Sequence, residues 1–312
     1  MANNMYSKKK NKNTKKASAQ KEQKFRSQKA GRVISNVFAY ITLICMSIVW
    51  LIPFVCVLLQ SFRSYKVYGG MRSYVIPKAH EWALDNYTFL LNVEECGFLK
   101  WYANTVIIAA AVAVLQTIII LCVSFALSRM RFKGRELLMR FWLILGMFPG
   151  FLTMICLYFL LKQFGLTQQN AVPGLILISV ASCGMGYYVC KGYFDTIPKS
   201  LDEAARIDGA SRMRVFISMI VPLSKPIIIY QALLAFMAPW CDYIFASYVA
   251  FGDEKGYNVA VGLYRWLNVS DYQGYFTRFC AGGILVAVPV TILFMCLQKY
   301  YVEGVTGGAV KG

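Results

Sequence analysis

Charged residues and histidine are scarce in this chain of 312 residues. Only 15% of the residues are charged, and His80 is the single histidine. Because His80 falls in a polar stretch, a histidine-based triad or histidine-rich metal site cannot form within the apolar runs. The chain also lacks the phosphate-binding loop GxxxxGK[ST]. We therefore expect no enzyme, no metal and no cofactor, with ATP bound only by partner subunits.

Cysteine pairing is also missing. None of the ten cysteines forms a CxxC pair, so neither a zinc site nor a disulfide framework is indicated. Nine of them lie in or beside apolar runs, and only Cys96 sits in a clearly polar loop. We expect the nine to be small buried apolar side chains.

Apolar residues are abundant instead, at 58% of the chain, which is typical of an integral membrane protein. A bilayer-spanning helix needs about 20 predominantly apolar residues. Six segments meet that requirement: 37–59, 104–128, 137–161, 171–190, 226–251 and 281–298. The sequence thus predicts an all-α membrane domain with six transmembrane helices over residues 33–312.

The net charge of +18 is concentrated at the N-terminus. The first 36 residues hold eleven Lys or Arg and one acid, Glu22. In so apolar a chain this charge indicates a membrane face rather than nucleic acid. Residues 1–32 cannot bury a core, so we predict a disordered basic cytoplasmic tail, which either fixes topology or tethers lipid headgroups.

The orientation follows from the positive charges. If the N-terminus is inside, the inside segments hold more than twice as many Lys and Arg as the outside loops. Both termini are then cytoplasmic, and the chain is a multi-pass inner-membrane protein. The outside loops 60–103 and 252–280 are rich in Tyr and Trp. These rings are either interfacial belt residues or contacts for a partner or ligand.

The inside loop 191–225 is too structured to be a simple connector. Ser200 and Glu203 have the spacing of a capping box, which predicts a helix from near Leu201. Gly209 can end that helix in a left-handed turn. Ser211 can then cap a second short helix that runs to Met219.

In this loop Glu203-Ala204-Ala205 is followed by Gly209 four residues later and by Pro222 thirteen beyond that. The spacing resembles the EAA loop of ATP-binding-cassette (ABC) importer permeases of type I fold. In that family the loop docks into a cleft on a cytoplasmic ATPase. The resemblance implies a set of ATPase-docking residues: Glu203, Ala204, Ala205, Asp208, Gly209 and Pro222.

The C-terminal tail, 299–312, reads Lys299-Tyr300-Tyr301-Val302-Glu303-Gly304-Val305-Thr306-Gly307-Gly308-Ala309-Val310-Lys311-Gly312. It resembles the tail of carbohydrate permeases of the maltose-transporter type, specifically the smaller membrane subunit. Val261-Gly262-Leu263, Leu267-Asn268 and Tyr272 fit the same subfamily. The resemblance implies alternating access and a heterodimer with a sibling permease. It also implies two copies of an ATPase and an extracytoplasmic sugar-binding protein. The expected substrate is an oligosaccharide, either a maltodextrin or a galacto-oligosaccharide.

Asp242 is the one acid placed deep in a predicted span, between Trp240 and Tyr243. A carboxylate beside two rings could bind sugar hydroxyls in a substrate path. It could equally be a structural acid or pair with the sibling subunit. Pro53, Pro149 and Pro289 fall within spans and can kink them, as gate hinges or as static shape.

Two other functions remain open from the sequence. One is an ABC permease for a non-carbohydrate solute, against which the carbohydrate-type tail argues. The other is an ion-coupled secondary transporter, which predicts paired ionisable residues within spans and an internal repeat. The spans offer Asp242 alone, and no repeat is visible.

Overall fold

The computed structural model describes residues 35–66, 76–92, 96–268 and 275–306, and these residues are almost entirely helical. They fall into two compact units, Met1–Cys56 and Val57–Gly312. In the described residues β-pairing is limited to one isolated bridge between Arg63 and Trp82. The helices are α1 Ser35–Ser61, α2 Asp85–Leu91, α3 Phe98–Arg129, α4 Arg135–Gly146, α5 Gly150–Gln163, α6 Ala171–Ala181, α7 Gly184–Asp195, α8 Lys199–Ile207, α9 Arg212–Leu223, α10 Lys225–Cys241, α11 Ile244–Ala250, α12 Val259–Asn268 and α13 Tyr275–Thr306.

The apolar helices account for up to six membrane spans, so the predicted all-α fold is confirmed. Among the described residues, α1, α3 and α13 are each long and apolar enough to cross a bilayer unaided. Three further candidates are bent pairs. The bend is 102° between α4 and α5, 42° from Gln168–Ala181 to α7, and 81° between α9 and α10.

Only one of the three prolines predicted to kink a helix lies at a break. Pro149 stands immediately before α5, at the 102° bend. Because proline lacks an N–H and clashes with the preceding turn, a helix cannot pass through it without distortion. Pro53 and Pro289, by contrast, lie inside the continuous helices α1 and α13.

The core of the second unit forms around α3, which packs against α6, α7 and α10. Some of the loop aromatics belong to this core. Trp101 is 4% exposed and Tyr257 is 3% exposed, and the Trp101 ring lies 5.4 Å from that of Trp266. The assignment of these rings to an interfacial belt or a ligand surface is therefore wrong. The reason is that α12, which the sequence analysis left as loop, buries them against α3.

The fifth predicted span, 226–251, is also wrong as one helix. α10 ends at Cys241, and α11 begins only at Ile244. Asn258 stabilises this interruption by donating to the carbonyl oxygens of Pro239, at 3.2 Å, and Asp242, at 2.7 Å. A side-chain amide thus satisfies backbone groups that a broken helix leaves open.

The cysteines are less buried than expected. All ten are free thiols, but only Cys183, Cys190 and Cys280 are buried. A bilayer is itself an apolar solvent, so an apolar side chain on a spanning helix does not need protein around it. The predicted disordered tail 1–32 lies outside the described residues, as do Tyr272 and the last six residues of the C-terminal tail. The tail's first residues, 299–306, continue α13.

Candidate docking loop and membrane cavity

The first helix of the candidate docking loop begins earlier than the sequence analysis placed it. α8 starts at Lys199 with Pro198 at its N-cap, and no side chain caps it. Ser200 lies inside the first turn, so the predicted capping box with Glu203 is wrong. Proline fixes φ near the helical value, which lets the helix begin directly after Pro198.

The end of α8 agrees with the prediction. Gly209 has φ +83°, in the left-handed region. Its N–H donates to the carbonyl of Arg206 at 3.1 Å, and the N–H of Ala210 donates to that of Ala205 at 2.9 Å. These two bonds form a Schellman motif, which closes the helix at Asp208 and turns the chain.

The second helix of the loop begins as predicted and runs further. The Ser211 hydroxyl accepts a hydrogen bond from the N–H of Arg214 at 3.2 Å and caps α9. A π-helical turn spans Phe216–Ile220, and Pro222 lies in the last turn. α9 extends to Leu223 instead of Met219, and the 81° bend to α10 follows at Ser224.

The outward face of α8 differs from the expected docking set in one residue. Glu203 and Ala204 are exposed, as are Asp208, Gly209 and Pro222. Ala205 instead packs against the core cluster below the loop. Its place on the outer face is taken by Ile207, which is 87% exposed. The sequence already indicated this position of Ile207, because it stands four residues after Glu203 and therefore lies on the same helix face.

Arg129, the last residue of α3, contacts the base of the docking loop. The sequence analysis did not identify it as a functional residue. Its Nε lies 3.0 Å from Oδ2 of Asp202, and the two side chains are 6% and 16% exposed. Its Nη2 donates to the carbonyl oxygens of Phe194, at 3.0 Å, and Ile197, at 2.8 Å. One guanidinium therefore joins α3, the end of α7 and α8. Partners so distant along the chain cannot be read from a local motif.

Further polar contacts lie beside Arg129 and involve its neighbour Ser128. The carboxylate of Asp195 accepts from the Ser128 hydroxyl at 2.6 Å and lies 2.5 Å from Nζ of Lys191. The end of α3 is thus fixed to the end of α7 by two adjacent residues, Ser128 and Arg129. Movement of the loop would move these helix ends with it.

Asp242 lines a cavity of about 240 Å³ within the second unit. The polar side chains around it come from α3, α6 and the segments flanking α11: Gln116, Ser179, Ser182, Asp242 and Asn258. The Asp242 carboxylate also accepts a hydrogen bond from the N–H of Phe245 at 3.2 Å, at the start of α11. Asp242 therefore lies at a helix break and not within a continuous helix.

The three residues of the predicted substrate path are not brought together at this cavity. Trp240 is 3% exposed and packs edge-on against Tyr102, with ring centroids 5.3 Å apart. Tyr243 lies against Tyr264 at 4.0 Å. Neither ring lines the cavity around Asp242. An aromatic platform beside the carboxylate is thus absent from the described lining, which is polar and aliphatic.

Sequence comparison places this helical membrane protein in a known family. Residues 118–307 match the family described as the binding-protein-dependent transport system inner membrane component. The chain belongs to this family. It is a multi-pass membrane permease of ABC transporters, not a catalytic enzyme.

The most informative relatives are permeases whose names state the solute that they transport. The maltodextrin transport system permease protein MdxG of Bacillus subtilis (strain 168) is 36% identical over 90% of this chain and 98% of its own length. MalD of Streptococcus pneumoniae, a maltodextrin permease, is 34% identical over 91% and 98%. GanQ of B. subtilis, a galactooligosaccharide permease, is 34% identical over the same shares. The predicted maltose-type sugar-importer permease is confirmed.

Solved structures agree on the fold. A bacterial ABC transporter involved in the import of the acidic polysaccharide alginate matches with a TM-score of 0.71. The match covers 85% of this chain and 97% of that chain at 24% identity. The type I permease fold is therefore shown.

Proposed function

We propose that this permease imports an oligosaccharide by alternating access, driven by ATP that two copies of a partner ATPase bind and hydrolyse. The substrate class follows the relatives whose names specify maltodextrins and galactooligosaccharides. The family's dependence on a binding protein supports an extracytoplasmic sugar-binding protein as the donor of substrate. Both termini are cytoplasmic in this proposal, since the basic residues concentrate on that side.

The observation that carries the proposal is the outward face of α8. Glu203, Ala204 and Ile207 place an acid, a small residue and an exposed branched side chain on one helix face. A large apolar side chain that is 87% exposed at the tip of a cytoplasmic loop is typical of a contact with a partner protein. Ala204 allows a partner backbone to approach closely. Asp208 and Gly209 form the turn that ends α8, and Pro222 lies in the last turn of α9.

Transmission of the ATPase closure would pass through Arg129. Any displacement of α8 acts on Asp202, and Asp202 lies 3.0 Å from the guanidinium at the end of α3. The same guanidinium bonds the carbonyl of Phe194, in the last turn of α7, and that of Ile197, just after the helix. A push on the loop therefore reaches two membrane helices through rigid contacts, which is how alternating access can be coupled to a remote event.

The exposed break between α4 and α5 supports the proposal that a sibling permease subunit packs against this chain. Met147 is 83% exposed and Phe148 is 59% exposed at this break. Irregular backbone at membrane depth is stable only where protein or a water-filled cavity covers it, because lipid cannot satisfy its polar groups. A second permease packed on this face would provide that cover.

The docking proposal is tested by co-purification of the ATPase with tagged permease. Ile207→Ser and Glu203→Lys are each expected to lower ATPase retention at least about tenfold, since the few hot-spot residues near the centre of an interface contribute about 2 kcal/mol or more. Glu254→Lys is the matched control, because Glu254 is also an exposed acid but lies in a predicted outside loop. Retention equal to the unmodified complex in both docking variants contradicts the proposal.

The substrate is tested separately in proteoliposomes that contain the complete complex. Uptake of labelled maltodextrins and galacto-oligosaccharides is compared with uptake of an amino acid and of phosphate. ATP-dependent uptake of one of the sugars supports the proposal. Uptake of a non-carbohydrate solute alone would refute the carbohydrate class and leave the ABC mechanism standing.

A further inference from the structure

A basic pocket of about 360 Å³ lies between the end of α3, the start of α4 and the docking helices α8 and α9. It shares Glu203 with the outward face of α8, but Ile207 and Ala204 do not line it. Its lining includes two acids, Asp202 and Glu203. It also includes six basic side chains: Arg129, Arg131, Arg135, Lys199, Arg206 and Arg212.

The positive charge of this pocket is not neutralised from within. Arg129 pairs with Asp202, but none of the other five cations forms an ion pair with a described residue. The side chain of Arg129 is 6% exposed, and its Nη1 has no hydrogen-bond partner in the described part of the chain. A buried guanidinium N–H without an acceptor costs free energy, so the pocket favours an anion with several oxygens.

We propose that this pocket binds a phosphate group, and that the group belongs to an anionic phospholipid. Arginine forks match phosphate oxygens in pairs, and four of the five unpaired cations are arginines. The pocket lies where α3 ends and α4 begins, which in the proposed orientation is the cytoplasmic headgroup level. Basic pockets between membrane helices on that side suit lipid phosphates.

The helix beside the pocket provides a surface for the acyl chains. Leu137, Phe141 and Ile144 lie on one face of α4 and are 73%, 53% and 56% exposed. A shallow groove lined by Arg131, Arg135, Leu137 and other residues adjoins the pocket. A lipid can therefore place its phosphate among the arginines and its chains along α4. A free phosphate ion would use the arginines alone.

Binding there would join the loop to the bilayer. The phosphate would contact α8 through Lys199 and Arg206, α9 through Arg212, and the α3–α4 turn through Arg131. The lipid thus stabilises the loop in the position from which its outward face meets the ATPase. The inference needs the cytoplasmic orientation of the loop, but it does not need the ATPase to dock at Ile207.

Native mass spectrometry of the full complex tests the proposal. The complex is exchanged into detergent with equal amounts of phosphatidylglycerol and phosphatidylcholine. Arg131→Gln/Arg212→Gln is expected to lose at least one retained phosphatidylglycerol, with about fivefold weaker binding per removed charge. Arg214→Gln is the matched control, because Arg214 lies on the same helix as Arg212 and does not line the pocket.

The outcomes separate the sources of the anion. Loss of phosphatidylglycerol in the double variant, with phosphatidylcholine unchanged, supports the lipid. If inorganic phosphate at millimolar concentration raises the melting temperature of unmodified complex but not of the variant, and lipid retention is equal, the site holds a soluble phosphate and the lipid proposal is overturned. If the variant loses only the ATPase, the arginines bind an acidic partner and the anion site is refuted.

Discussion

Replacing Asp202 with alanine tests whether the docking loop is held by the end of α3. The change leaves the Arg129 guanidinium buried without its carboxylate, at a site where the two side chains are 6% and 16% exposed. Removing one partner of a buried pair costs about 3–5 kcal/mol. The two carbonyl bonds of Arg129 at 3.0 and 2.8 Å remain, so the lower end, about 3 kcal/mol, is expected.

This loss of stability should appear locally, as more frequent unfolding of α8. A change of about 3 kcal/mol raises an opening constant on the order of 100-fold. Amide hydrogen exchange of the complex, followed by mass spectrometry, should therefore show faster exchange across Ala204–Ala210, where the C-terminal bonds of α8 lie. Transport per ATP hydrolysed should fall, while membrane insertion and exchange in α10 stay unchanged.

Glu136→Ala is the control for this experiment. Glu136 also pairs with an arginine, Arg140, but at 3.8 Å with side chains 77% and 88% exposed. Such a surface pair contributes about 0–1 kcal/mol, so exchange and coupling should not change. The reasoning is refuted if Asp202→Ala exchanges within threefold of the unmodified chain and transports normally.

Three further changes probe other features. Gly262→Ala would place its Cβ 1.9 Å from the Trp101 ring and should lower thermal stability by about 1–3 kcal/mol, whereas Gly283→Ala meets no atom within 4 Å and should not. Gly209→Ala meets open space, so backbone strain at φ +83° alone should cost about 1–2 kcal/mol and speed α8 exchange; Gly209→Trp should also uncouple transport, and normal transport by it would contradict the docking role. Deletion of residues 1–30 should leave transport by purified complex intact, and complete loss with normal insertion would disprove the proposed passive tail.

Most features encoded by neighbouring residues were predictable from the sequence, although the capping box at Ser200 was not, because α8 begins directly after Pro198. The left-handed turn at Gly209 and the cap at Ser211 depend on contacts within a few residues, and both occur as expected. The six apolar runs needed only composition and length. The family was predictable from the Glu203-Ala204-Ala205 motif with Gly209 and from the C-terminal tail, because each of these places particular residues at close spacing.

Features that depend on distant contacts were not predictable. The fifth span was drawn through Asp242 because residues on both sides are apolar, but Asn258 caps the broken end from sixteen residues away. Ala205 was placed on the outer face because the motif groups it with Glu203 and Ala204, yet the core beneath α8 holds it. Arg129 looked like one of several positive charges at the membrane face, and only the tertiary structure gives it three partners.

The break between α4 and α5 has a consequence for how the chain is maintained in a cell. At about 1.5 Å per residue, α4 and α5 are roughly 18 and 21 Å long, and neither crosses an apolar layer of about 30 Å. If the proposed heterodimer forms, a copy synthesised in excess of its sibling would keep this bend uncovered in the lipid. We expect such orphan copies to be removed by membrane proteolysis, so that the cell holds the two permeases in equal number even where their synthesis is unequal.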